Sequence, residues 1–305
     1  VTSMAAQGIL RVESYETYRN PVHFDELPGE KKKLTEVQQE IADDFIRSYD
    51  AGDRTPVLLH GITGSGKTEV YMEMIDAMLQ RGKQCIVLIP EIALTYQTLL
   101  RFYKRFGDAV SVMHSRLSAG ERYDQMKRAK RGEVQVMIGP RSALFTPFQK
   151  LGLIIIDEEH ETSYKSDSMP KYHAREVAVH LAEMTDACVV MGSATPSLEA
   201  NYRAQQGIYK KYVLSERIGD AVLPEVQIVD MRQELAGGNS SIFSRHLETA
   251  IADRLEKRQQ VMLFLNRRGI SGFVSCRACG YVMKCPHCDV SLSEHRQKMV
   301  CHYCG

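Results

Sequence analysis

The sequence lacks tryptophan, which decides nothing, but its other absences exclude whole classes of protein. No run of 18 apolar residues occurs anywhere in the 305 residues. A transmembrane helix takes about 20 such residues, so neither a span nor a membrane partner is expected. No basic leader followed by an apolar segment and a small-residue cleavage site opens the chain. Net charge is almost absent: 39 Lys and Arg against 38 Asp and Glu leave +1, so whole-chain charge argues neither for nor against nucleic acid. Any basic surface must be local. There is no internal repeat and no low-complexity tract. Cysteine is scarce through most of the chain, and only Cys85 and Cys188 of the eight lie outside the last thirty residues. A secreted scaffold would spread bridges through its fold, so disulfides are not expected and a cytoplasmic location is.

What is present is the balance of a soluble globular protein, 44% hydrophobic and 25% charged, over a length sufficient for two domains. Position 1 is Val rather than Met, and the sequence is expected to belong to a longer chain. Residues 1–33 end in the polar, Pro/Gly-punctuated stretch FDELPGEKKK, which reads as a linker after the tail of an upstream domain. Thr35 then caps an amphipathic helix over 34–49. From residue 56 to 194, short Val/Ile/Leu runs alternate with longer amphipathic stretches. Continuous apolar runs fit strands buried on both faces, and strand–helix alternation predicts a doubly wound parallel α/β domain, placed over 34–200. Residues 201–270 read as a connection and the start of a second α/β domain, with a helix over 244–259 and a buried strand over 260–269. Residues 271–305 form a cysteine module.

Two motifs in the first domain carry chemistry. HGITGSGKT (60–68) has the spacing G-x-x-x-x-G-K-[ST] between a predicted strand and a predicted helix. Its residues Gly61, Ile62, Thr63, Gly64, Ser65 and Gly66 let backbone N–H groups turn inward around a polyphosphate. Lys67 can reach the β- and γ-phosphates, and the Thr68 hydroxyl can ligate Mg²⁺, so ATP and Mg²⁺ are the expected cofactors. LIIIDEEH (153–160) is a buried strand that stops in carboxylates. Asp157 is placed to hold Mg²⁺ and Glu158 to orient or deprotonate the attacking water. After it, Tyr164, Lys165, Lys171, Tyr172, His173 and Arg175 interleave aromatic and basic groups, the mixture that single-stranded DNA binding needs. The basic stretch 121–133 reads instead as the solvated face and end of a helix.

The last thirty residues hold three C-x-x-C pairs, Cys276/Cys279, Cys285/Cys288 and Cys301/Cys304. A structural Zn²⁺ takes four ligands. The second and third pairs are separated by twelve residues, enough for a hairpin between two knuckles, whereas the first two pairs leave only five. Spacing therefore favours one whole site from Cys285, Cys288, Cys301 and Cys304.

The ordered set GITGSGKT, PEIALT (90–95), GPRSALF (139–145), DEEH, GSATPS (192–197) and LFLNRRG (263–269) resembles superfamily 2 helicases. The cysteine module, with the segment 161–178, narrows the resemblance to the replication-restart helicases of bacteria. It covers nearly the whole chain. It implies a RecA-like P-loop NTPase domain followed by the start of a second one carrying the zinc module, and a 3′-to-5′ DNA helicase that binds stalled or branched forks and helps reload the replicative helicase. It implies single-stranded and forked DNA, other primosome proteins and single-stranded DNA-binding protein as partners. His160 would couple hydrolysis to DNA, Gln38 would read adenine (Gln39 fits as well by spacing), and Arg141 and Ser142 would contact the DNA backbone. It also implies that Cys276 and Cys279 pair with cysteines beyond residue 305, and that this stretch alone hydrolyses ATP poorly. Two other functions fit the same motifs: a duplex translocase that does not unwind, and a zinc-dependent docking platform with a regulatory ATPase.

Overall fold

The structure, a computed structural model, describes residues 33–219, 224–264, 281–295 and 298–304, with Met4, Arg11, Tyr18, Arg19, Lys31, Cys276 and Cys279. The expected linker over 1–33 thus falls almost entirely outside the described residues. The chain divides into two compact units, Val1–Ala221 and Val222–Gly305.

The first unit is built on seven strands: β1 Val57–Gly61, β2 Gln84–Leu88, β3 Val110–Val112, β4 Val136–Gly139, β5 Leu151–Ile156, β6 Cys188–Ser193 and β7 Lys210–Leu214. Their order is β3-β4-β2-β5-β6-β1-β7, and every pairing is parallel. Helix α1 Glu36–Asp50 precedes β1, and helices α2 Lys67–Gln80, α3 Tyr96–Phe106, α4 Ala119–Arg131, α5 Ala174–Thr185 and α6 Leu198–Gln205 lie between the strands in the chain. Parallel neighbours require such crossovers.

The period-two side-chain alternation of strands explains why both faces are apolar. Val57, Leu59, Val87, Ile155 and Val190 face one layer with Phe45 of α1 and Met74 and Met78 of α2. Leu58, Ile86, Ile154, Ile156 and Met191 face the other with Ala174, Ala178 and Ala182 of α5. Polar caps start the helices: Thr35 accepts from the Gln38 amide, Ser118 from Glu121 and Ser197 from Ala200. The basic residues of 121–133 sit on α4 and its end, where Arg128 donates to Gln125. This doubly wound arrangement is the RecA-like α/β fold, and it puts the loops after β1, β5 and β6 at one end of the sheet.

The sheet continues past residue 200. β7 pairs with β1 from Val57↔Lys210 to Gly61↔Leu214, so the unit closes at Ala221 instead. Its sequence, KKYVL, does not read as a buried run because it is an edge strand with Lys211 and Val213 facing solvent. Lys210 and Tyr212 both bond Asp44 of α1, at 2.6 and 2.7 Å. The Lys210 ammonium first, then the Tyr212 hydroxyl, hold the Asp44 carboxyl down at about 2.

In the second unit the described residues form α7 Met231–Ala236, α8 Arg245–Glu256, with Ser244 capping Leu247, and an antiparallel hairpin of β8 Ser293–His295 and β9 Lys298–Val300. The strand expected over 260–269 is not seen where it can be judged. Residues 260–264 have no strand, Met262 is 93% and Phe264 83% exposed, and 265–269 lie outside the described residues. An apolar run becomes a buried strand only when neighbouring strands and covering helices meet it, and among the described residues this unit supplies none to that segment.

Candidate functional site

The phosphate loop connects β1 to α2. Gly64 and Gly66 take φ of +83° and +80°, a region that side chains resist, and Gly66 opens α2. Gly61 is needed for space: a Cβ there would stand 2.6 Å from Ser65 Oγ and 2.9 Å from Lys67 Cγ. Lys67 Nζ donates to the Gly61 carbonyl at 2.8 Å, so the ammonium already lies folded over the loop. The first N–H groups of α2 have no partners within the helix and point where an anion would sit. Gln38, buried, donates through Nε2 to the Ser65 carbonyl at 2.7 Å and accepts the Thr35 amide at 3.0 Å. Gln39 is exposed and bonds Asp43, so of the two glutamines the fold brings Gln38 to the loop.

The loop, Gln38, Lys67, Thr68, Asp157 and Glu158 line one cavity of about 370 Å³. These residues fit a nucleotide with its metal: a glycine cradle, a lysine, a hydroxyl and two carboxylates converge on one space. Asp157 follows β5 and accepts from the Tyr71 hydroxyl of α2 at 3.1 Å. Burial first, and the charge of Glu158 second, push the Asp157 carboxyl up to about 6. Glu158 has φ +48°, a strained left-handed conformation for a residue with a side chain. His160 Nδ1 lies 2.7 Å from Ser193 Oγ and 3.6 Å from Glu158 Oε2, and Ser193 Oγ also accepts the Thr195 amide. DEEH and SAT are thus in direct contact.

Sequence reasoning missed three groups that hold this geometry. Tyr71 sits at helical spacing with core residues, and no local signal separates it from them. It is fully buried against Gly192, where any side chain would overlap its hydroxyl. Glu159, the middle of the acidic run, is buried and accepts from the Ser197 amide at 2.6 Å, Ser197 Oγ at 3.0 Å and Arg175 Nη1 at 3.1 Å. The third group, Arg217 and Ile218, lies beside the loop, in a stretch with no motif.

Two residues expected to touch DNA are corrected. Arg175 is only 9% exposed at its side chain, and its guanidinium is spent on Glu159 and Ser197 inside the protein. Tyr164 is buried, donating to the carbonyls of Leu88 at 3.1 Å and Asp157 at 2.6 Å. Both are inward because the segment after DEEH turns back as a short 3₁₀ turn, Thr162–Tyr164, onto the sheet. The other expected residues do gather at a surface. Arg141, Ser142 and Lys165 line a groove of about 820 Å³ over the ends of β2, β3 and β4. Arg141 Nη1 donates to the Ser163 and Lys165 carbonyls at 3.1 and 2.6 Å, pinning the loop to the groove wall. Tyr172 is half-buried edge-on to the exposed Phe145, ring centroids 5.5 Å apart.

In the second unit Cys285, Cys288, Cys301 and Cys304 place their Sγ atoms within 4.8 Å of one another. Ligands about 2.3 Å from a tetrahedral zinc stand at that order of separation, so the four fit the ion. The amides of Cys304 and Tyr303 hold the Cys301 thiol down at about 6. Cys276 and Cys279 are exposed and do not join this cluster.

The fold and the cavity define a P-loop domain of helicase type. The DEAD/DEAH box helicase family matches residues 35–203, and the chain belongs to that family. Within it the resemblance is to the PriA proteins. The PriA DNA helicase Cys-rich region (CRR) domain matches residues 285–305. The replication restart protein PriA of Bacillus subtilis is 48% identical over 309 residues, covering 100% of this chain and 38% of the relative. Those of Synechocystis sp. and Chlamydia muridarum are 46% and 42% identical, covering 100% and 99% of this chain and 38% and 41% of theirs. The chain therefore spans about two fifths of the length of these relatives.

Proposed function

We propose that this chain carries the ATP-hydrolysing motor of a 3′-to-5′ DNA helicase of replication restart, working in the cytoplasm on stalled or branched forks. The observation that carries this is the convergence of the phosphate loop, Asp157 and Glu158 on one cavity, with His160 set between Glu158 and Ser193. Lys67 and the loop amides bind the polyphosphate of ATP. Thr68 and Asp157 hold Mg²⁺, which supplies charge neutralisation at the phosphates. Glu158 orients the attacking water and takes its proton. His160 and Ser193 connect that carboxylate to the SAT segment, so that a shift of one is felt by the other.

Single-stranded DNA lies along the groove between Arg141, Ser142 and Lys165, with the Phe145–Tyr172 pair offering an aromatic edge for stacking. The four-cysteine zinc site serves the contacts with other primosome proteins and single-stranded DNA-binding protein. The similarity to PriA proteins supports restart as the process.

The test is Lys67→Ala. Nucleotide binding by the 305-residue chain should be lost, and in a chain of the relatives' full length the unwinding of 3′-tailed duplexes should vanish with DNA binding retained. Unwinding that persists, or that prefers 5′ tails, sinks the proposal.

A further inference from the structure

Beyond β7 the chain turns back over the phosphate loop. The Ile62 amide donates to the Leu214 carbonyl at 3.2 Å, and the Ile218 amide donates to the Gly64 carbonyl at 3.0 Å. The loop is therefore gripped at two points by a segment more than 140 residues away in sequence. Ile218 presses on Gly66: a Cβ there would stand 2.5 Å from Ile218 Cδ1 and 2.5 Å from Gln38 Nε2. The Ile218 side chain is nevertheless 48% exposed, and it lines the nucleotide cavity. Arg217 passes over Gly64, its Cγ 3.8 Å from where a Cβ would stand. Its neighbours in charge are occupied, Lys67 by the Gly61 carbonyl and Arg101 by Glu69 at 3.6 Å. Arg217 has no hydrogen bond or ion pair among the described residues.

Gln38 adds a second line. Its amide is engaged on both sides by the protein, Nε2 with Ser65 and Oε1 with Thr35. It holds the loop at the place where Ile218 presses on Gly66. We infer that Arg217 and Ile218 are nucleotide-contacting residues that complete the site from the β7 side: Arg217 pairs with the phosphates, and Ile218 gives the base an apolar floor. This rests on the nucleotide reading of the cavity. The physical logic is that of a loop whose amides supply partial charges only. A guanidinium adds a full charge, and that of Arg217 has no ion pair among the described residues to break.

The experiment is calorimetric titration of the 305-residue chain with Mg²⁺–ATPγS and, separately, with inorganic tripolyphosphate. Arg217→Ala should weaken both by about tenfold, equivalent to 1.4 kcal/mol, and Arg217→Lys should recover part of the loss. Ile218→Ser should weaken ATPγS several-fold and leave tripolyphosphate unchanged. Neither side chain is buried, so thermal midpoints should match the wild type. Wild-type affinity in Arg217→Ala, or a loss confined to ATPγS, overturns the phosphate assignment. Unchanged ATPγS affinity in Ile218→Ser overturns the base floor. Lys67→Ala separates the two levels: if it too binds normally, the cavity is not a nucleotide site, whereas if it alone loses binding, the nucleotide site stands and the assignment of Arg217 and Ile218 falls.

Discussion

Arg175→Ala asks whether this arginine belongs to the protein interior or to DNA. In the folded chain the guanidinium donates to Glu159 at 3.1 Å and to Ser197 Oγ at 2.9 Å, with the carboxylate side chain fully shielded from water. Removing one partner of a buried ion pair costs about 3–5 kcal/mol, because the remaining charge has lost both water and its counter-ion. Glu159 keeps the Ser197 amide and hydroxyl, so the lower part of that range, about 3–4 kcal/mol, applies. For a unit of this size each kcal/mol moves the melting temperature by about 2–4 °C, giving a drop of about 6–16 °C. Urea unfolding followed by circular dichroism measures the free energy directly. The double variant Glu159→Gln, Arg175→Met should recover much of the loss, since it removes the stranded charge. A loss below about 1 kcal/mol, together with a selective fall in single-stranded DNA affinity, would refute the buried-pair argument and return Arg175 to the DNA surface.

Three further outcomes are expected. Glu158→Gln should retain nucleotide binding while turnover falls by about 10²–10⁴, the usual worth of a general base, and turnover within tenfold of wild type removes Glu158 from that role. Asp157, raised to about 6 by burial and by Glu158, is favoured in its protonated form by folding. Its contribution to stability is therefore complete below the ordinary carboxylate range and lost as pH rises through about 6, while Mg²⁺–nucleotide affinity should fall as pH drops below about 6. A flat affinity profile between pH 7.5 and 5 (about the range needed to cross that value), or a pH dependence that survives unchanged in Asp157→Asn, contradicts this. Cys301→Ser should release about one zinc per chain and melt the β8–β9 hairpin, because binding energy at such sites is folding energy. Unchanged zinc content would mean that Cys285, Cys288, Cys301 and Cys304 are not its ligands.

The parts of this molecule most legible in sequence are those whose chemistry is local. The phosphate loop is one contiguous stretch whose glycines are dictated by backbone geometry, and Cys285/Cys288 and Cys301/Cys304 announce themselves by spacing. Strands β1 to β6 were readable because burial on both faces demands uninterrupted Val, Ile and Leu. β7 was not, because an edge strand can carry polar residues: Lys211 is exposed, and Lys210 bonds Asp44 of α1. Tyr164 and Arg175 look like surface chemistry in a polar segment, and only the backward turn of Thr162–Tyr164 makes them interior. Tyr71 and Arg217 have no local signal, since each matters only through a neighbour brought to it by the sheet.

The position of β1 has a consequence for how the protein is made. It is the first strand among the described residues, yet both its neighbours, β6 and β7, come from residues 188–214. Pairings at such separation are entropically late, because a long loop must close before they return anything. On the ribosome the strand that bears the phosphate loop must wait, unpaired, until β6, which begins 127 residues after Gly61, has been added. The Leu214 and Ile218 contacts that grip the loop can form only after that. The β2, β4 and β5 pairings draw on a shorter stretch and can form earlier. The sheet can thus be half assembled while the nucleotide site does not yet exist, and ATP can act only on a chain that has passed this last step of assembly.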